Sequence, residues 1–384
     1  MMDSEIVVIG SGIAGASIAS ELAKERKVIL LERESHPGYH STGRSAAIYV
    51  ESYGNEVVRA LTTASRAFYE SPPEGFSEGP LWSERGNLHV ADATSLAKLE
   101  QVWVAATRFS SAPFRITTQE ALDMVPVLRP EMAVGAFVEP GTMDLDVDRI
   151  HQGYLRKFKQ LGGMLICNAE VQSMESDAGQ WSLQLKDGRK FTTEIVVNAA
   201  GAWADAIAEM ASISPAGVVP KRRTAIIVDA PEGSNLSRWP MVVDAAEQYY
   251  FKPEAGKVLF SPADATPTFP SDVQPEELDI AISVDRAVRA TTMTVRRIEH
   301  SWAGLRCFAS DNSPVVGFSC EGSNFFWFAG QGGYGIQLAP TLARLGASLL
   351  LGNGIPPDLA KLGLTFKQID PERPACRRDV KTIA

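Results

Sequence analysis

The opening of the chain is the feature that most constrains its fold. Residues 6–9 (Ile-Val-Val-Ile) form a continuous β-branched run typical of a buried parallel strand, and residues 10–15 (Gly-Ser-Gly-Ile-Ala-Gly) follow it directly. Apolar residues at helical spacing predict a helix over residues 16–27, and the apolar run 28–31 predicts a second buried strand ending at Glu32. The sequence therefore predicts a strand, helix and strand unit with a glycine-rich first turn, which is the fingerprint of a dinucleotide-binding domain.

Three glycines and one acid give this fingerprint its chemistry. Gly10 permits the tight turn, Gly12 lets backbone amides approach a pyrophosphate, and Gly15 lets the helix pack closely on the strand. The helix would direct the positive end of its dipole at the phosphates, and Glu32 would accept the hydroxyls of a ribose. The alternative is a glycine-rich turn of some other α/β protein, but here the strand, the helix and the acid all lie at the required spacing. No second fingerprint occurs, so one dinucleotide is expected.

Later segments predict that the chain returns to this first domain and also builds a second one. Buried strands that enter small-residue turns are predicted within residues 164–171, 195–201 and 325–330. Alternating apolar and polar residues, typical of an antiparallel sheet, occupy residues 223–228, 248–252 and 257–261. We therefore predict an α/β fold in which a Rossmann-like nucleotide-binding domain is interleaved with an antiparallel-sheet substrate domain. The predicted first domain takes residues 1–86, 146–219 and 300–384, and the second takes residues 87–145 and 220–299.

Composition and charge exclude several classes of partner. The formal net charge is −9, and no run of Lys or Arg is longer than residues 221–223, so we expect no nucleic-acid or anionic-membrane binding. The cysteines are scattered without C-x-x-C pairing, which favours neither a disulfide framework nor a structural zinc site, and no metal is expected. The N-terminus lacks the basic and apolar regions of a signal peptide, and no apolar run approaches the roughly 20 residues of a transmembrane helix. A cytoplasmic location is expected.

Two further loops have the composition of cofactor-binding segments. Residues 40–47 (His-Ser-Thr-Gly-Arg-Ser-Ala-Ala) follow the ribose-binding strand and could wrap a pyrophosphate, although a solvated helix N-cap would use the same residue types. Residues 330–335 (Gly-Gln-Gly-Gly-Tyr-Gly) precede an apolar helix over residues 336–351, whose N-terminus would stabilise the negative charge of a reduced flavin. A glycine-rich turn needed for backbone reasons alone is the alternative.

Taken together, these motifs resemble those of the D-amino-acid oxidase superfamily of FAD-dependent oxidoreductases, and within it those of the bacterial D-arginine dehydrogenases. The matching segments are the first strand and residues 37–47, 198–203, 221–223, 302–306 and 331–337. They occur in the family's order over nearly the whole chain. The resemblance implies a Rossmann-like FAD-binding domain, non-covalently held FAD and oxidation of an amino acid.

The resemblance also implies the roles of individual site residues. Arg223 and Arg306 would grip the carboxylate of the substrate, and Tyr250 would add a hydroxyl; guanidinium groups suit such bidentate contacts. Three further residues are implied: Tyr53 on a mobile lid loop, the backbone carbonyl of Gly333 as acceptor for the substrate amine, and Gln337 near the amine end of the site. The implied FAD contacts are Gly10, Gly12, Ile13, Ala14, Gly15, Glu32, Arg33, Ser41, Thr42, Arg44, Ser45, Ala46, Val171, Ala200, Gly201, Gly332, Gly333, Tyr334, Gly335, Ile336 and Gln337.

From the residues alone, other interpretations of the proposed substrate contacts stay open. Residues 221–223 could be a charged sheet edge, although strand alternation allows only one of Arg222 and Arg223 to line a pocket. Arg306 follows an apolar stretch in which an unpaired guanidinium would be costly, so an anionic ligand is a natural partner. Tyr250 could equally be a core or rim aromatic. Cys307 could carry a covalent flavin, as in related amine oxidases, or be a plain buried thiol.

Two positions depart from the D-arginine dehydrogenase pattern and bear on the substrate. Ile48 stands where those enzymes have a histidine, and Asn87 stands where they have the carboxylate that pairs with the substrate guanidinium. Because removal of that acid leaves a buried cation unpaired, we expect a pocket for neutral or hydrophobic side chains. The expected reaction is oxidative deamination of a D-amino acid to the imino acid, which water converts to the 2-oxo acid and ammonia.

The pair Arg223 and Arg306, called the arginine clamp below, would also hold other substrates. A secondary amine or a 2-hydroxy acid would be held by the same arginine pair, and a non-catalytic flavin-binding or assembly protein is a more distant alternative. The sequence does not identify the electron acceptor, which could be oxygen or a quinone.

Overall fold

The fold is α/β, as the sequence predicts, and it is built from three sheets with helices packed around them. The computed structural model describes residues 2–110, 112–321 and 324–376. Its strands are β1 (Met2–Ile9), β2 (Val28–Leu31), β3 (Ile48–Tyr49), β4 (Trp82–Glu84), β5 (Asn87–Ala91), β6 (Phe114–Ile116), β7 (Gly135–Glu139), β8 (Met143–Leu145), β9 (Met164–Ile166), β10 (Val171–Asp177), β11 (Gln180–Leu185), β12 (Lys190–Asn198), β13 (Val219–Val228), β14 (Met241–Asp244), β15 (Tyr250–Glu254), β16 (Lys257–Ser261), β17 (Thr266–Pro267), β18 (Ile298–Phe308), β19 (Val315–Phe318) and β20 (Phe325–Ala329). Its helices are α1 (Ile13–Leu22), α2 (Glu56–Glu70), α3 (Leu96–Phe109), α4 (Thr118–Met124), α5 (Val147–Gln160), α6 (Ala204–Met210), α7 (Glu277–Ala290), α8 (Gly335–Leu350) and α9 (Pro357–Lys361).

The first sheet has eight strands and contains the predicted nucleotide-binding unit. Its main order is β10-β11-β12-β1-β2-β9, and β20 also pairs with β12 while β19 pairs with β20. The pairs of β1 with β2, of β1 with β12, of β2 with β9 and of β12 with β20 are parallel. The carboxyl ends of these strands therefore meet at one edge, which is where ligands bind in open α/β sheets.

Both faces of the first sheet are covered, which explains its continuous apolar strands. Ile6 and Val8 face a core formed with α1, α5 and α8, whereas Val7 and Ile9 face a second core that includes α6. Successive residues of a strand point to opposite faces, so a strand buried on both sides needs apolar residues at every position. Helix α1 ends at Leu22, earlier than the predicted residue 27, because residues 24–26 turn back onto the carbonyls of Glu21 and Leu22.

The second sheet has nine strands in the order β17-β13-β16-β15-β14-β5-β7-β6, with β18 also paired to β13. It is antiparallel as predicted except between β5 and β14, which run parallel. That pair joins two distant parts of the chain, so no hairpin fixes its direction. Strand β18 belongs to this sheet, although the predicted boundary at residue 300 assigns most of it to the first domain. The division into domains otherwise stays a prediction. No helix of the described residues is long and apolar enough to cross a membrane.

Candidate functional site

A deep cleft opens where the carboxyl edge of the first sheet meets one face of the second. Its empty space is about 1780 Å³, counting the part open to solvent. Its lining runs from Gly10 and Glu32 to Arg223 and Arg306, so a single cleft reaches both the predicted nucleotide contacts and the predicted substrate contacts. The turn after β1, the start of α8 and the middle of β18 all lie in its wall.

The glycines after β1 are required by close packing at the floor of the cleft. Gly10 has φ +96°, a conformation that side chains rarely adopt. A Cβ on Gly15 would lie 1.7 Å from the carbonyl oxygen of Gly10, so any side chain there would separate α1 from β1. A Cβ on Gly12 would lie 3.1 Å from Oγ1 of Thr42 and would narrow the entrance to the helix N-terminus. This cradle fits a pyrophosphate, since its backbone amides are exposed only while these positions lack side chains.

Residues 41–44 contact both the start of α1 and strand β18 at the nucleotide end of the cleft. The hydroxyl of Thr42 accepts a hydrogen bond from the backbone N–H of Ile13 at 2.9 Å, and the hydroxyl of Ser41 donates to the carbonyl of Leu305 at 2.6 Å. Arg44 donates to the carbonyls of Val273 and Ala303 and forms an ion pair with Asp272. The segment thus ties the nucleotide end of the first sheet to the second sheet.

Glu32 lies at the end of β2 in a position suited to a ribose. Its carboxylate accepts hydrogen bonds from the N–H and hydroxyl of Ser11, at 2.9 and 2.6 Å, and from the N–H of Glu34 at 2.9 Å. The guanidinium of Arg33 lies 4.7 Å from the ring centre of Trp203, and both residues line the cleft. The carboxylate is therefore fixed in place with an aromatic surface close by.

The N-terminus of α8 faces the middle of the cleft. Gly332 has φ +56°, and its N–H donates to the carbonyl of Cys307 at 2.8 Å, which joins the glycine loop to β18. Gly333, Gly335 and Ile336 line the wall. Because the first N–H groups of a helix have no partner within it, this 16-residue helix directs donors and a positive dipole at the ligand. The arrangement suits a flavin ring that becomes anionic when reduced.

Arg223 and Arg306 face the cleft from neighbouring strands. In the β13 and β18 pair, Arg223 lies opposite Gly304 and Lys221 lies opposite Arg306, so the two arginines are diagonal neighbours on one face of the sheet. Gly304 places no side chain in front of Arg223. Arg222 points to the other face, where it forms ion pairs with Asp279 and Glu276.

Neither arginine of the cleft has an acidic partner among residues 2–110, 112–321 and 324–376. Arg223 donates through Nε to the backbone carbonyl of Asp264 at 2.6 Å, and the carboxylate of Asp264 is bound instead to Thr224. Nη1 of Arg306 lies 3.5 Å from the hydroxyl of Tyr53. Two partly buried guanidinium groups without a carboxylate form a site that favours an anion.

The charge of Arg306 affects Arg223, and the charges of both arginines affect the tyrosines around them. Burial, and then the like charge of Arg306, lower the pKa of Arg223. Burial alone would raise the pKa of Tyr250, but the positive charges of Arg306 and Arg223 outweigh it and lower that pKa. The guanidinium of Arg223 lies 5.9 Å from the ring centre of Tyr250. The local field is therefore positive, as an anionic ligand requires.

Comparison with known proteins identifies the family. The model of the FAD-dependent oxidoreductase family known as DAO matches residues 5–349. The chain belongs to this family. It is therefore an FAD-dependent oxidoreductase, and the residues described above fit that cofactor.

Relatives within the DAO family span most of this chain. Glycine oxidase of Geobacillus kaustophilus is 27% identical over 381 residues, which cover 94% of this chain and 96% of that protein. Its crystal structure matches with a TM-score of 0.81 at 25% identity, covering 95% of this chain and 99% of that one. L-proline dehydrogenase from P. horikoshii matches with a TM-score of 0.82 at 24% identity, covering 96% and 97%, and shows the shared fold.

Human mitochondrial dimethylglycine dehydrogenase is a longer relative. It is 22% identical over 383 residues, which cover 94% of this chain but 44% of that protein. These relatives do not single out the D-arginine dehydrogenases within the DAO family.

Most of the predicted cofactor and substrate residues lie in the wall of the cleft. Those that do are Gly10, Gly12, Ile13, Ala14, Glu32, Arg33, Ser41, Thr42, Arg44, Ser45, Ala46, Val171, Ala200, Gly201, Arg223, Tyr250, Arg306, Gly332, Gly333, Gly335 and Ile336. Their roles stay predictions, because the positions alone do not test them.

Six predicted residues do not line the cleft. Gly15 supports the fingerprint turn, and Tyr53 and Tyr334 pack edge to face at 5.0 Å. Gln337 is buried and accepts from the N–H of Val50 at 3.1 Å while its amide nitrogen donates to Thr62 at 2.9 Å, so its side chain braces the fold. The other two predicted residues that do not line the cleft are Ile48 and Asn87.

The two predicted specificity residues have different surroundings. Ile48 packs on an apolar cluster that includes Tyr250 and Met241, directly behind the cleft. Asn87 is buried with its amide nitrogen 2.9 Å from Nε2 of His89, and it does not line the cleft. The structure therefore places Ile48, but not Asn87, beside the substrate end.

Sequence reasoning missed several aromatic wall residues. Trp302 lines the cleft two residues before Gly304, and its indole N–H donates to the carbonyl of Arg44 at 3.1 Å. His40 and Trp203 line the nucleotide end with their rings 4.7 Å apart. Strand alternation could have found Trp302, since it shares a face with Arg306, but no local pattern brings residue 40 to residue 203.

Proposed function

We propose that the protein oxidises the carbon–nitrogen bond of a D-amino acid with a neutral or hydrophobic side chain. The observation that carries this proposal is the pair Arg223 and Arg306, two guanidinium groups without an acidic partner in the described chain, in the same cleft as the FAD fingerprint. A substrate carboxylate supplies the missing negative charge. Since the clamp fixes the carboxylate, it also fixes the direction of Cα relative to the bound cofactor.

The residues of the chain supply binding and orientation for this chemistry. FAD held in this cleft would supply the acceptor for a hydride from Cα. The arginine pair holds the carboxylate, and Tyr250 adds a hydroxyl beside Arg223. The amine must lose a proton before transfer, and solvent water can take it. The resulting imino acid is hydrolysed to a 2-oxo acid and ammonia.

Apolar packing behind the clamp supports the choice of side chain. Ile48 and Trp302 pack against the cluster formed by Ala225, Met241 and Tyr250. A cationic side chain entering this region would lose its water without gaining a partner, whereas an apolar side chain gains roughly 25 cal/mol per Å² buried. Neutral substrates are therefore favoured.

A secondary amine is the second candidate. A solved structure of the same fold is named for L-proline, a secondary amine, and a relative of this chain is named for dimethylglycine, a tertiary amine. The same clamp would hold their carboxylates. A 2-hydroxy acid would fit the clamp as well, but it lacks the amine.

Product analysis distinguishes these substrates. The FAD-loaded protein is incubated with single D-amino acids, their L-enantiomers, N-methylated amino acids and 2-hydroxy acids, with an artificial electron acceptor, and 2-oxo acid and ammonia are measured. We expect both products, in equal amounts, from neutral D-amino acids. Turnover of N-methylated amino acids alone would replace the proposal by the second candidate, and turnover of L-enantiomers alone would refute the D-configuration.

A further inference from the structure

The segment between β3 and α2, residues 50–55, is bound unusually tightly for a surface turn and is called the Tyr53 turn below. Val50, Glu51 and Ser52 are each only 6% exposed, so the turn places two polar side chains in the interior. Buried polar groups must be hydrogen-bonded to be tolerated. The partners of this turn therefore show what holds it.

Four contacts anchor the Tyr53 turn, three of them to distant parts of the chain and one to the helix α2 that follows it. The first three are with single side chains: Gln337 of α8 accepts from the N–H of Val50 at 3.1 Å, Glu139 of β7 accepts from the hydroxyl of Ser52 at 2.8 Å, and Arg59 of α2 donates to the carbonyl of Ser52 at 2.8 Å. Fourth, Asn55 donates to the carbonyl of Asp311 and to the hydroxyl of Ser313. Mobile lids have few buried contacts, and this turn has many.

Glu139 is the most constrained of these anchors. It is 0% exposed, and the oxygen that accepts from Ser52 also lies 2.6 Å from Nε2 of His89. Burial alone would raise the pKa of Glu139, but His89 and the hydroxyl of Ser52 outweigh it, so the pKa is lowered and the group stays ionised. His89 is itself stacked on Phe137 at 4.4 Å. The acceptor for Ser52 is thus a charged group in a fixed position.

The turn leads directly to the substrate end of the cleft. Tyr53 follows Ser52, and its hydroxyl is the only polar side-chain contact of Arg306 that the described residues make. The ring of Tyr53 also packs against Tyr334, next to the start of α8. Any shift of Ser52 therefore moves a group that touches one half of the arginine clamp.

We propose that Glu139 is a positioning residue that, through Ser52, holds Tyr53 against Arg306, so that the Tyr53 turn is a fixed support behind the substrate site and not a mobile lid. The proposal rests on the proposed function for its effect on substrate binding. The anchoring itself does not depend on which substrate is bound. Glu139 acts through Ser52 and Tyr53 and touches neither substrate nor cofactor.

Hydrogen–deuterium exchange and carboxylate binding test this proposal on the FAD-loaded protein. Ser52→Ala removes the hydrogen bond and keeps the buried pair of Glu139 and His89, while Ser52→Thr retains a hydroxyl. Glu139→Gln is the second variant. The control is Ser65→Ala: Ser65 is an equally buried serine of α2 that bonds Leu61 and Thr341, outside the turn. Benzoate is the carboxylate probe, followed by the change in flavin absorbance.

We expect Ser52→Ala and Glu139→Gln to raise deuterium uptake in residues 50–55 and to weaken benzoate binding roughly tenfold, as for the loss of a hydrogen bond to a charged group. Ser52→Thr should keep the deuterium uptake and the benzoate affinity of wild type, and Ser65→Ala should change neither quantity. With an amino acid that the enzyme turns over, KM of Ser52→Ala and Glu139→Gln should rise by a larger factor than kcat falls. Wild-type uptake and benzoate affinity in Ser52→Ala would overturn the proposal, even if Glu139→Gln fails to fold. If wild type itself binds no benzoate, the arginine clamp is refuted. Deuterium uptake in residues 50–55 of the variants still tests whether Glu139 and Ser52 hold the turn in place.

Discussion

At the scale of single residues, Arg223 and Arg306 determine what the cleft can hold. Replacing either by Met removes one charge from the clamp and leaves the FAD cradle intact. We expect kcat/KM for an amino acid to fall by about 30-fold or more, since loss of one partner of a buried charge pair costs roughly 2–5 kcal/mol. Flavin content should not change.

Lys221→Met is the matched control for this experiment. Lys221 lies on β13 opposite Arg306, with its ammonium over the ring of Phe308, and it does not line the cleft. Its loss should leave kcat/KM nearly unchanged. Wild-type kinetics in both arginine variants would refute the clamp.

Ile48 bears on the choice of side chain, whereas Asn87 does not line the cleft. We expect D-leucine and D-methionine to be turned over at least as efficiently as D-arginine, because Ile48 extends the apolar cluster around Tyr250. The measurement is kcat/KM for each substrate in wild type and in Asn87→Glu. Asn87 lies opposite Glu139 in the β5 and β7 pair, so a second carboxylate there should destabilise the fold more than it helps D-arginine. A strong preference of wild type for D-arginine would contradict this account of the pocket.

Cys307 lines the cleft but is poorly suited to covalent attachment. Burial raises the pKa of its thiol to about 12, so almost no thiolate is present near neutral pH. We expect denaturation with acid to release all the FAD into the supernatant, as measured by its absorbance. Flavin that stays with the precipitated protein and is released by Cys307→Ser would show a covalent link instead.

At the scale of elements, the turn from β1 into α1 is the part that tolerates least change. A Cβ at position 15 would collide with the Gly10 carbonyl, whereas a Cβ at position 12 meets only the hydroxyl of Thr42. Gly15→Ala should therefore abolish the folded, FAD-loaded protein, and Gly12→Ala should fold but bind FAD more weakly. Circular dichroism and the dissociation constant for FAD check both. Normal FAD binding by Gly15→Ala would contradict the packing argument.

Strands β1 and β2 and helix α1 show which features of a fold a local sequence pattern predicts well. The strand at residues 6–9 and the strand at residues 28–31 are fully determined by burial on both faces, which forces an unbroken apolar run. Helix α1 was predicted too long because residues 24–26 are charged and satisfy helical spacing without packing on the core. Apolar periodicity predicts where an element lies better than where it ends.

At the scale of the whole molecule, function depends on pairings that no local pattern contains. Strand β18 joins β13 along most of its length, and this contact places Arg306 diagonal to Arg223 although more than eighty residues separate them. The resemblance to a family, and not periodicity, predicted that the two arginines act together. Asn87 was assigned to the substrate pocket by position in that resemblance, but its strand turns the side chain into the buried pair of His89 and Glu139.

The proposed function requires that the arginine pair hold the carboxylate of an amino acid and so direct its Cα at bound FAD. Its most direct test is anaerobic mixing of the FAD-loaded protein with single neutral D-amino acids while the absorbance of oxidised flavin is followed. We expect saturable and complete loss of that absorbance with at least one of them, and a much higher half-saturating concentration in Arg223→Met. Flavin that stays oxidised with every amino acid tested, or that is reduced equally well in the variant, would contradict it.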